Sequence, residues 1–469
     1  MSPNGPLNSQ NWSRLDQRYL WHPFTPNNSW LDPNYEPLCI VSSRGRTLIA
    51  EDGRTFLDGN SSIWTNIHGH NHPEILRAII DQLHQLDHLS FLGQTHPAAI
   101  ELAVALSERV SGGQHRVFYS SDGSSAVEAA LKIAYQAWQQ STQPQRRRFI
   151  TFQGSYHGDT VGAMSLGGSE AMHEPFRPLL FDSRKVMAPA CYRCPHNIAP
   201  FSPYDARLSR QCEWQCIEQL EEAVAQENDQ LAAVIMEPRV QGAAGMWMHP
   251  HGYLSRARPI IEASGAYWIL DEILTGFGRT GTLFAFEQEI TPPSILVLGK
   301  GLSGGTMPIA ATLVREEIFQ KFNGPFHHTF FHGHSYSGHP PSCAAALANL
   351  RLFEKEKTLS RLQPLIDQMR EESQRFWRHP NVGDVRQEGF ILAIELVQNR
   401  HTKESFPTEA RLAYHICERA RQYGLLTRGI HATLILIPPL TTLPDELSRM
   451  IDALWRALVE VLPFDVQAA

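Results

Sequence analysis

The sequence predicts an α/β protein built on a doubly wound, mainly parallel sheet, with a smaller α+β unit beside it. Three observations lead there. Short apolar runs ("RVFYS", "RRFITF", "LAAVIMEP", "AYWILDEI" and "SILVLGKG") alternate with stretches of helical periodicity. Strands covered on both faces read as continuous apolar runs, and helices between them are what parallel connections require. After about residue 340 the texture changes to two amphipathic helical stretches, then β-rich runs and a last helix. Finally, 469 residues exceed one small core and suggest two or three units of roughly 150 residues each.

Taken in order, "GRTLIAEDGRTFLDG" alternates apolar and polar residues around a "DGR" turn and reads as a hairpin. "HPEILRAIIDQLHQL" and "HPAAIELAVALSERV" carry apolar residues at helical spacing. "RVFYS" then leads into the helix "SSAVEAALKIAYQAW", "RRFITF" into "DTVGAMSL", and "LAAVIMEP" into "GYLSRARPIIEAS". Beyond them, "PPSCAAALANLRLFEKE" and "LSRLQPLIDQMREESQRFW" read as helices, and "VGDVRQEGFILAIELV" and "LLTRGIHATLILIPPL" as strands. The expected division is 1–72 and 341–469 as the two parts of a small domain, with 73–340 as the large domain.

Composition narrows the function. Charged residues at 19% and hydrophobic ones at 42% describe a folded chain, and no apolar run approaches the ~20 residues that cross a bilayer. The first residues lack the basic flank and apolar core of a secretory signal, so a cytoplasmic protein is expected. A net charge of -7, with only "RRR" at 146–148 as a basic run, argues against nucleic acid and for a small-molecule ligand. Four of seven cysteines cluster as Cys191, Cys194, Cys212 and Cys216, near a zinc-ribbon spacing. The expectation is a surface excursion with reduced thiols or one disulfide and no assigned metal; structural zinc is the alternative.

Ligands of doubly wound sheets sit at the carboxyl ends of strands. There the sequence places Asp271, after "AYWIL", and Lys300, after "SILVLG". A lysine in a low-dielectric pocket has its charged form disfavoured, and its neutral amine can form a Schiff base with a carbonyl. Pyridoxal 5'-phosphate needs such a lysine, a carboxylate for its ring nitrogen and donors for its phosphate. Gly123, Ser124 and Ser125 open a helix, where free N–H groups favour an anion. Tyr156 and His157 lie in a glycine-flanked loop, where an aromatic ring can stack on a planar cofactor. Glu237 ends a third strand run, and "DEILTGFGRTG" supplies a turning loop.

In this order "EP…GAAGM", "DEILTGFGRTG", "LGKGLSGG" and "FFHGHSYSGHP" resemble the class III aminotransferases of the fold-type I pyridoxal-phosphate superfamily, across nearly the whole chain. The resemblance implies that Lys300 binds the cofactor aldehyde and shuttles protons, and that Asp271 partners the ring nitrogen. Ile273 and Tyr156 would cover the two ring faces, and Gly123 and Ser124 would hold the phosphate. Ser335, with His334, would reach the phosphate of a neighbouring subunit, placing the site at a homodimer interface. Trp64, Gly333 and Arg428 match substrate-site positions, Arg428 as a carboxylate clamp.

"LWHPFT", "SSIWTNIHGHNHP", "YHGDTVGAMS" and "GLLTRGIHATLILIPPL" further resemble the biotin-pathway branch, which aminates 8-amino-7-oxononanoate to 7,8-diaminononanoate, usually from S-adenosylmethionine. Two positions depart from that pattern. Phe24 stands where many donor sites carry Tyr, and Ile63 precedes Trp64 where they carry two tryptophans. A branch with "PFT", one Trp and "HGHSY" uses lysine, so either donor fits the resemblance. Competing readings are a class III enzyme acting on ω-amino acids or diamines, and a zinc-stabilised binding protein without catalysis.

Overall fold

The computed structural model describes residues 12–32, 35–111, 113–168 and 170–464. The signal-free reading of the first residues and the outer limits of the small-domain assignment therefore fall partly outside the described residues.

Strands β1 (Ile40–Arg44), β2 (Thr47–Ala50) and β3 (Thr55–Asp58) form an antiparallel meander. The turn before β3 is closed by the Asp52 side chain, which accepts from the Arg54 N–H at 2.9 Å. This sheet takes its fourth strand from Leu425–Leu426, parallel to β3, which joins the N-terminal hairpin to distant chain.

The large sheet is built from β4 (His115–Ser120), β5 (Arg148–Phe152), β6 (Arg184–Val186) and β7 (Leu231–Met236). Past a small ribbon of β8 (Val240–Gln241) and β9 (Trp247–Met248), it adds β10 (Tyr267–Asp271), β11 (Ile295–Leu298) and β12 (Ala310–Arg315). The spatial order is β4-β12-β11-β10-β7-β5-β6. Every strand runs parallel to the others except β12, which lies antiparallel between β4 and β11. Alternation of apolar runs with helices does not reveal β12, because a tight turn beginning at Lys300, not a helix, separates it from β11.

Successive residues along the central strands face opposite cores. Ile269, Ile295 and Val297 pack with Ala126, Val127 and Ala130 of the helix Gly123–Gln139. Leu270, Leu296 and Leu298 join the other core with Leu102, Leu254 and Ile261. Fully burying each such side chain contributes about 1.5–3 kcal/mol, which is why these strands carry no polar alternation.

A third sheet, β13 (Val382–Glu388), β14 (Ile391–Leu396), β16 (Arg428–Ile430) and β17 (Thr433–Leu436), has the order β13-β14-β17-β16 and follows Leu425–Leu426, which is β15. The cysteine-bearing segment docks on it and is not a free surface excursion. Arg193 donates to Glu395 at 2.6 Å, Arg207 to Glu388 at 2.6 Å, and Arg386 to Glu395 and Asp384 at 2.7 and 3.1 Å. Arg386 also caps the Gly245 and Met246 carbonyls, each at 2.6 Å. Cys191 and Cys216 are buried, burial pushes both thiols up to about 12, and all seven cysteines are free. Among the described residues no group of three or more His, Cys, Asp or Glu is arranged to hold a metal, and no helix is long and apolar enough to cross a membrane.

Breaking a buried ion network by removing one partner is costly, because the charges left behind stay desolvated. Arg386→Ala is therefore expected to lower unfolding stability by about 3–5 kcal/mol in urea titration.

Candidate active site

The rim of the large sheet gathers the chemistry-bearing side chains. β10 ends at Asp271, which pairs in register with Val297 of β11, so Lys300, three residues beyond Val297, leaves the adjacent strand at the same edge. β4 ends at Ser120, just before the helix that opens at Gly123. β5 ends at Phe152, ahead of the Tyr156 loop, and β7 ends at Met236, directly before Glu237. Because these strands are parallel, their carboxyl ends share one side of the molecule.

Asp271 is only 3% exposed. Its Oδ1 accepts from the Ile273 N–H at 3.1 Å, and its Oδ2 meets the buried His157 Nδ1 at 2.7 Å. Among the described residues His157 Nε2 has no hydrogen-bond partner. Beside them, Glu237 Oε1 accepts from the Tyr156 N–H at 3.0 Å and Oε2 from the Gly242 N–H at 2.9 Å. Burial raises the Glu237 carboxyl to about 7; His157 opposes the shift and Asp271 reinforces it.

Lys300 is half-buried, and its Nζ sits 4.6 Å from the centre of the Trp64 ring. Desolvation lowers its pKa to about 8 against the opposing pull of Asp271 and Glu237, helped by the positive charges of Arg279 and Arg428. The backbone around the amine is strained. Lys300 has φ +40°, and Ser61, Ser62 and Trp64 have φ +47°, +65° and +66°. Such conformations cost about 1–3 kcal/mol each and persist only where the surroundings enforce them. Fully buried Arg279 supplies part of that enforcement, donating to Ser61 Oγ at 3.3 Å, Asn66 O at 2.7 Å and Pro438 O at 2.9 Å. Asp58 accepts from the Asn60 and Ser62 N–H groups at 3.1 and 2.9 Å.

At the helix start, Gly123 touches Ile273 so closely that a Cβ would lie 2.8 Å from Ile273 Cδ1. Ile273 thus lies between Gly123 and Gly299. The Gly123 and Ser124 N–H groups stand at the free N-terminal end of the helix dipole, while Asp122 caps the Ser125 N–H at 2.9 Å. Ser124 Oγ accepts from the Asp159 N–H at 3.3 Å, and Asp159 in turn accepts from the Tyr156 hydroxyl at 2.7 Å. Gly158, at φ +129°, passes Ser124 with no room for a side chain. Burial raises the Tyr156 pKa.

Phe24, Ile63 and Arg428 line one cavity of about 380 Å³ with Trp30, Tyr35 and Tyr414. Phe24 is 64% exposed at φ +53°. Arg428 starts edge strand β16, where a salt bridge would be the ordinary expectation. Among the described residues its side chain forms no ion pair or hydrogen bond, and desolvation lowers its pKa while Cys417 opposes the shift. Ile63 adjoins Trp64 in the chain, and the Arg428 charge acts on Lys300, which relates this cavity to the lysine's surroundings.

Gly333, His334 and Ser335 stay apart from the Lys300 group: among the described residues no hydrogen bond or ring contact joins them. The His334 ring meets His332 at 5.2 Å, and His332 in turn meets Lys132 Nζ at 3.1 Å. Gly333 and Ser335 are exposed. In the sequence His157 stands out only as the neighbour of Tyr156 in a glycine-flanked loop and Arg279 only as part of a turning loop, with no partner for either. The first binds a carboxylate 114 positions away, and the second serves main-chain groups from two other segments. A histidine directly after Tyr156 in a glycine-flanked loop was the available signal.

A desolvated amine and a buried carboxylate at one sheet rim, beside the N-terminus of the helix that opens at Gly123, define an enzyme centre for amine–carbonyl chemistry. The aminotransferase class-III family matches residues 30–458. The adenosylmethionine-8-amino-7-oxononanoate aminotransferase of Nitratidesulfovibrio vulgaris is 42% identical over 95% of this chain and 81% of its own. The crystal structure of the enzyme of that name from Methanocaldococcus jannaschii superposes with a TM-score of 0.89 at 36% identity, covering 97% of this chain and 99% of its own. An amine transaminase from an uncultivated Pseudomonas species, in its PLP-bound form, gives 0.86 at 35% identity over 94% and 99%. The chain belongs to the class-III aminotransferase family.

The lowered pKa has a direct consequence. In protein freed of any carbonyl ligand, labelling of Lys300 by an amine-reactive probe is expected to reach half its maximum near pH 8, not near 10.5, as read by peptide mass. Between those values the unfolded chain holds this proton and the folded chain does not. The lysine's contribution to stability therefore rises with pH across that window.

Proposed function

We propose that the chain is a pyridoxal 5'-phosphate-dependent aminotransferase that converts 8-amino-7-oxononanoate to 7,8-diaminononanoate in biotin biosynthesis. The amino donor is S-adenosylmethionine or lysine. The observation that carries the reading is the pairing of Lys300 and Asp271 on adjacent strand ends, next to a cavity holding an unpaired arginine. The 8-amino-7-oxononanoate enzymes named above supply the substrate.

The residues fit the cofactor. Asp271, fixed by His157 and the Ile273 N–H, would hold a proton on the ring nitrogen. Ile273 and Tyr156 would cover the ring, and Gly123 and Ser124 would take the phosphate at the helix N-terminus. When bound, pyridoxal phosphate supplies an aldehyde and a ring that accepts the electrons of a broken C–H bond. Lys300, whose lowered pKa of about 8 makes its neutral form accessible near physiological pH, takes the proton from the donor carbon and later delivers one to the acceptor carbon. Arg428 binds the acceptor's carboxylate, and with no protein carboxylate paired to it among the described residues its guanidinium fork can take that group. Phe24 and Ile63 present apolar walls to the methylene chain, and Trp64, beside the Lys300 amine, would face the reacting end. Glu237 keeps the Tyr156 and Gly242 loops in register.

The same reading makes the enzyme a cytoplasmic homodimer in which Gly333, His334 and Ser335 complete the partner's site. In support, Phe331 and Tyr336, flanking those residues, are 64% and 58% exposed, as uncovered interface residues would be. Residues 1–72 and 341–469 would form the small domain and 73–340 the cofactor-binding one, supported by the pairing of β15 with β3.

Lys300→Ala is expected to abolish turnover and covalent cofactor attachment, read from the visible spectrum; full activity would refute the assignment. Arg428→Ala should raise KM for the oxononanoate by about tenfold to a hundredfold, as expected for a lost charge-assisted pair of about 1.5–3 kcal/mol, with cofactor retained. The donor is decided by adding S-adenosylmethionine and lysine separately to the loaded enzyme and recording which one bleaches its aldehyde absorption. If pyruvate, and not the oxononanoate, restores that absorption, the ω-amino acid alternative replaces this reading.

A further inference from the structure

Asn349 sits in the middle of the helix Pro340–Lys355 and is 0% exposed. Its neighbours Ala345, Ala346, Ala348, Leu350 and Leu352 are buried and apolar, so nothing in the helix's own packing calls for an amide. A buried amide is unfavourable unless its donors are satisfied. The Asn349 Nδ2 donates to Gly301 O at 3.0 Å and to Leu302 O at 2.9 Å. Both carbonyls belong to the one-turn helix Lys300–Ser303, whose first residue carries the left-handed φ of +40°.

The turn supplies little restraint of its own. Its internal bonds run from the Leu302 N–H to Gly299 O at 2.9 Å and from the Gly304 N–H to Gly301 O at 3.0 Å. Neither fixes Lys300, because glycines at 299, 301, 304 and 305 leave the backbone free to relax. Asn349 ties two consecutive carbonyls to a rigid helix that also packs on the helices Pro73–Gln85 and Pro97–Ser111. On its other side lies His68, whose pKa burial lowers to about 4 and whose ring nitrogens make no hydrogen bond within normal limits among the described residues. Asn349 is thus placed between the packed helices and the lysine turn.

We infer that Asn349 is a positioning residue: it holds Lys300 in its left-handed backbone conformation and so keeps the amine beneath Trp64 at the rim shared with Asp271. This rests on the reading of Lys300 as the reactive amine.

The test uses Asn349→Leu, similar in size but without donors and adding no charge, and Asn349→Asp, which turns the donors into acceptors facing carbonyls. Two readouts are taken: the pH midpoint of Lys300 labelling in protein stripped of cofactor, and the rate at which pyridoxal phosphate becomes attached to Lys300 in the stripped protein. A lysine released from its enforced position is better solvated, so the midpoint should rise by a unit or more in the leucine variant. Attachment should slow at least tenfold in both. Wild-type midpoint and attachment rate in a folded leucine variant would overturn the inference, whatever its melting temperature. Failure of both variants to fold also counts against it, since the claimed role is confined to one turn. If the wild type attaches cofactor to another lysine, the functional reading falls first; normal attachment at Lys300 with unaffected variants removes only the role of Asn349.

Discussion

A half-buried amine whose charged form is disfavoured by desolvation, with no ion-pair partner among the described residues, is the constraint on which the structure depends. Two carboxylates, Asp271 and Glu237, act on Lys300, yet desolvation outweighs them and the amine is easier to deprotonate than an ordinary lysine. The carboxylates have other work: Asp271 is engaged by His157 and a backbone N–H, and Glu237 by two N–H groups. Their hydrogen bonds leave the lysine close to negative charge but not neutralised by it. That balance suits a group that must be nucleophilic and must also carry a proton.

Maintaining the balance requires a stiff frame. Parallel strands β10 and β11 set the spacing of the two groups, because their register is fixed by cores on both faces. The strained stretch at Ser61–Trp64 brings an indole over the amine, and buried Arg279 joins that stretch to the chain at Pro438. Among the described residues the guanidinium pairs with no carboxylate, though the Asp58 charge acts on it. It binds backbone and a hydroxyl, and burial lowers its pKa to about 9. Strain at the site is offset by ordinary packing elsewhere, as expected where local preference yields to function.

Much of this was legible in the sequence, and the exceptions have physical causes. The alternation of apolar runs with helices exposes the parallel sheet because each crossover needs a helix. It hides β12, which follows a tight turn, and β6, three residues long. Lys300 and Asp271 could be read from their places after apolar runs. The bonds of His157 and Arg279 could not, since their partners lie in other segments and only folding brings them together. The polar segment that carries the clustered cysteines suggested a loop on the surface, and their spacing a zinc ribbon as the alternative. Charged side chains such as Arg193 and Arg207, which look like solvated residues in the sequence, instead bind Glu395 and Glu388 and draw that segment onto the third sheet.

The central claim is that one amine, at one strand end, captures the cofactor. Borohydride reduction of the holoenzyme followed by peptide mass mapping tests it most directly. The account predicts a single pyridoxyl group on the peptide containing Lys300. A pyridoxyl group on any other lysine, or none with the cofactor fully bound, would contradict it.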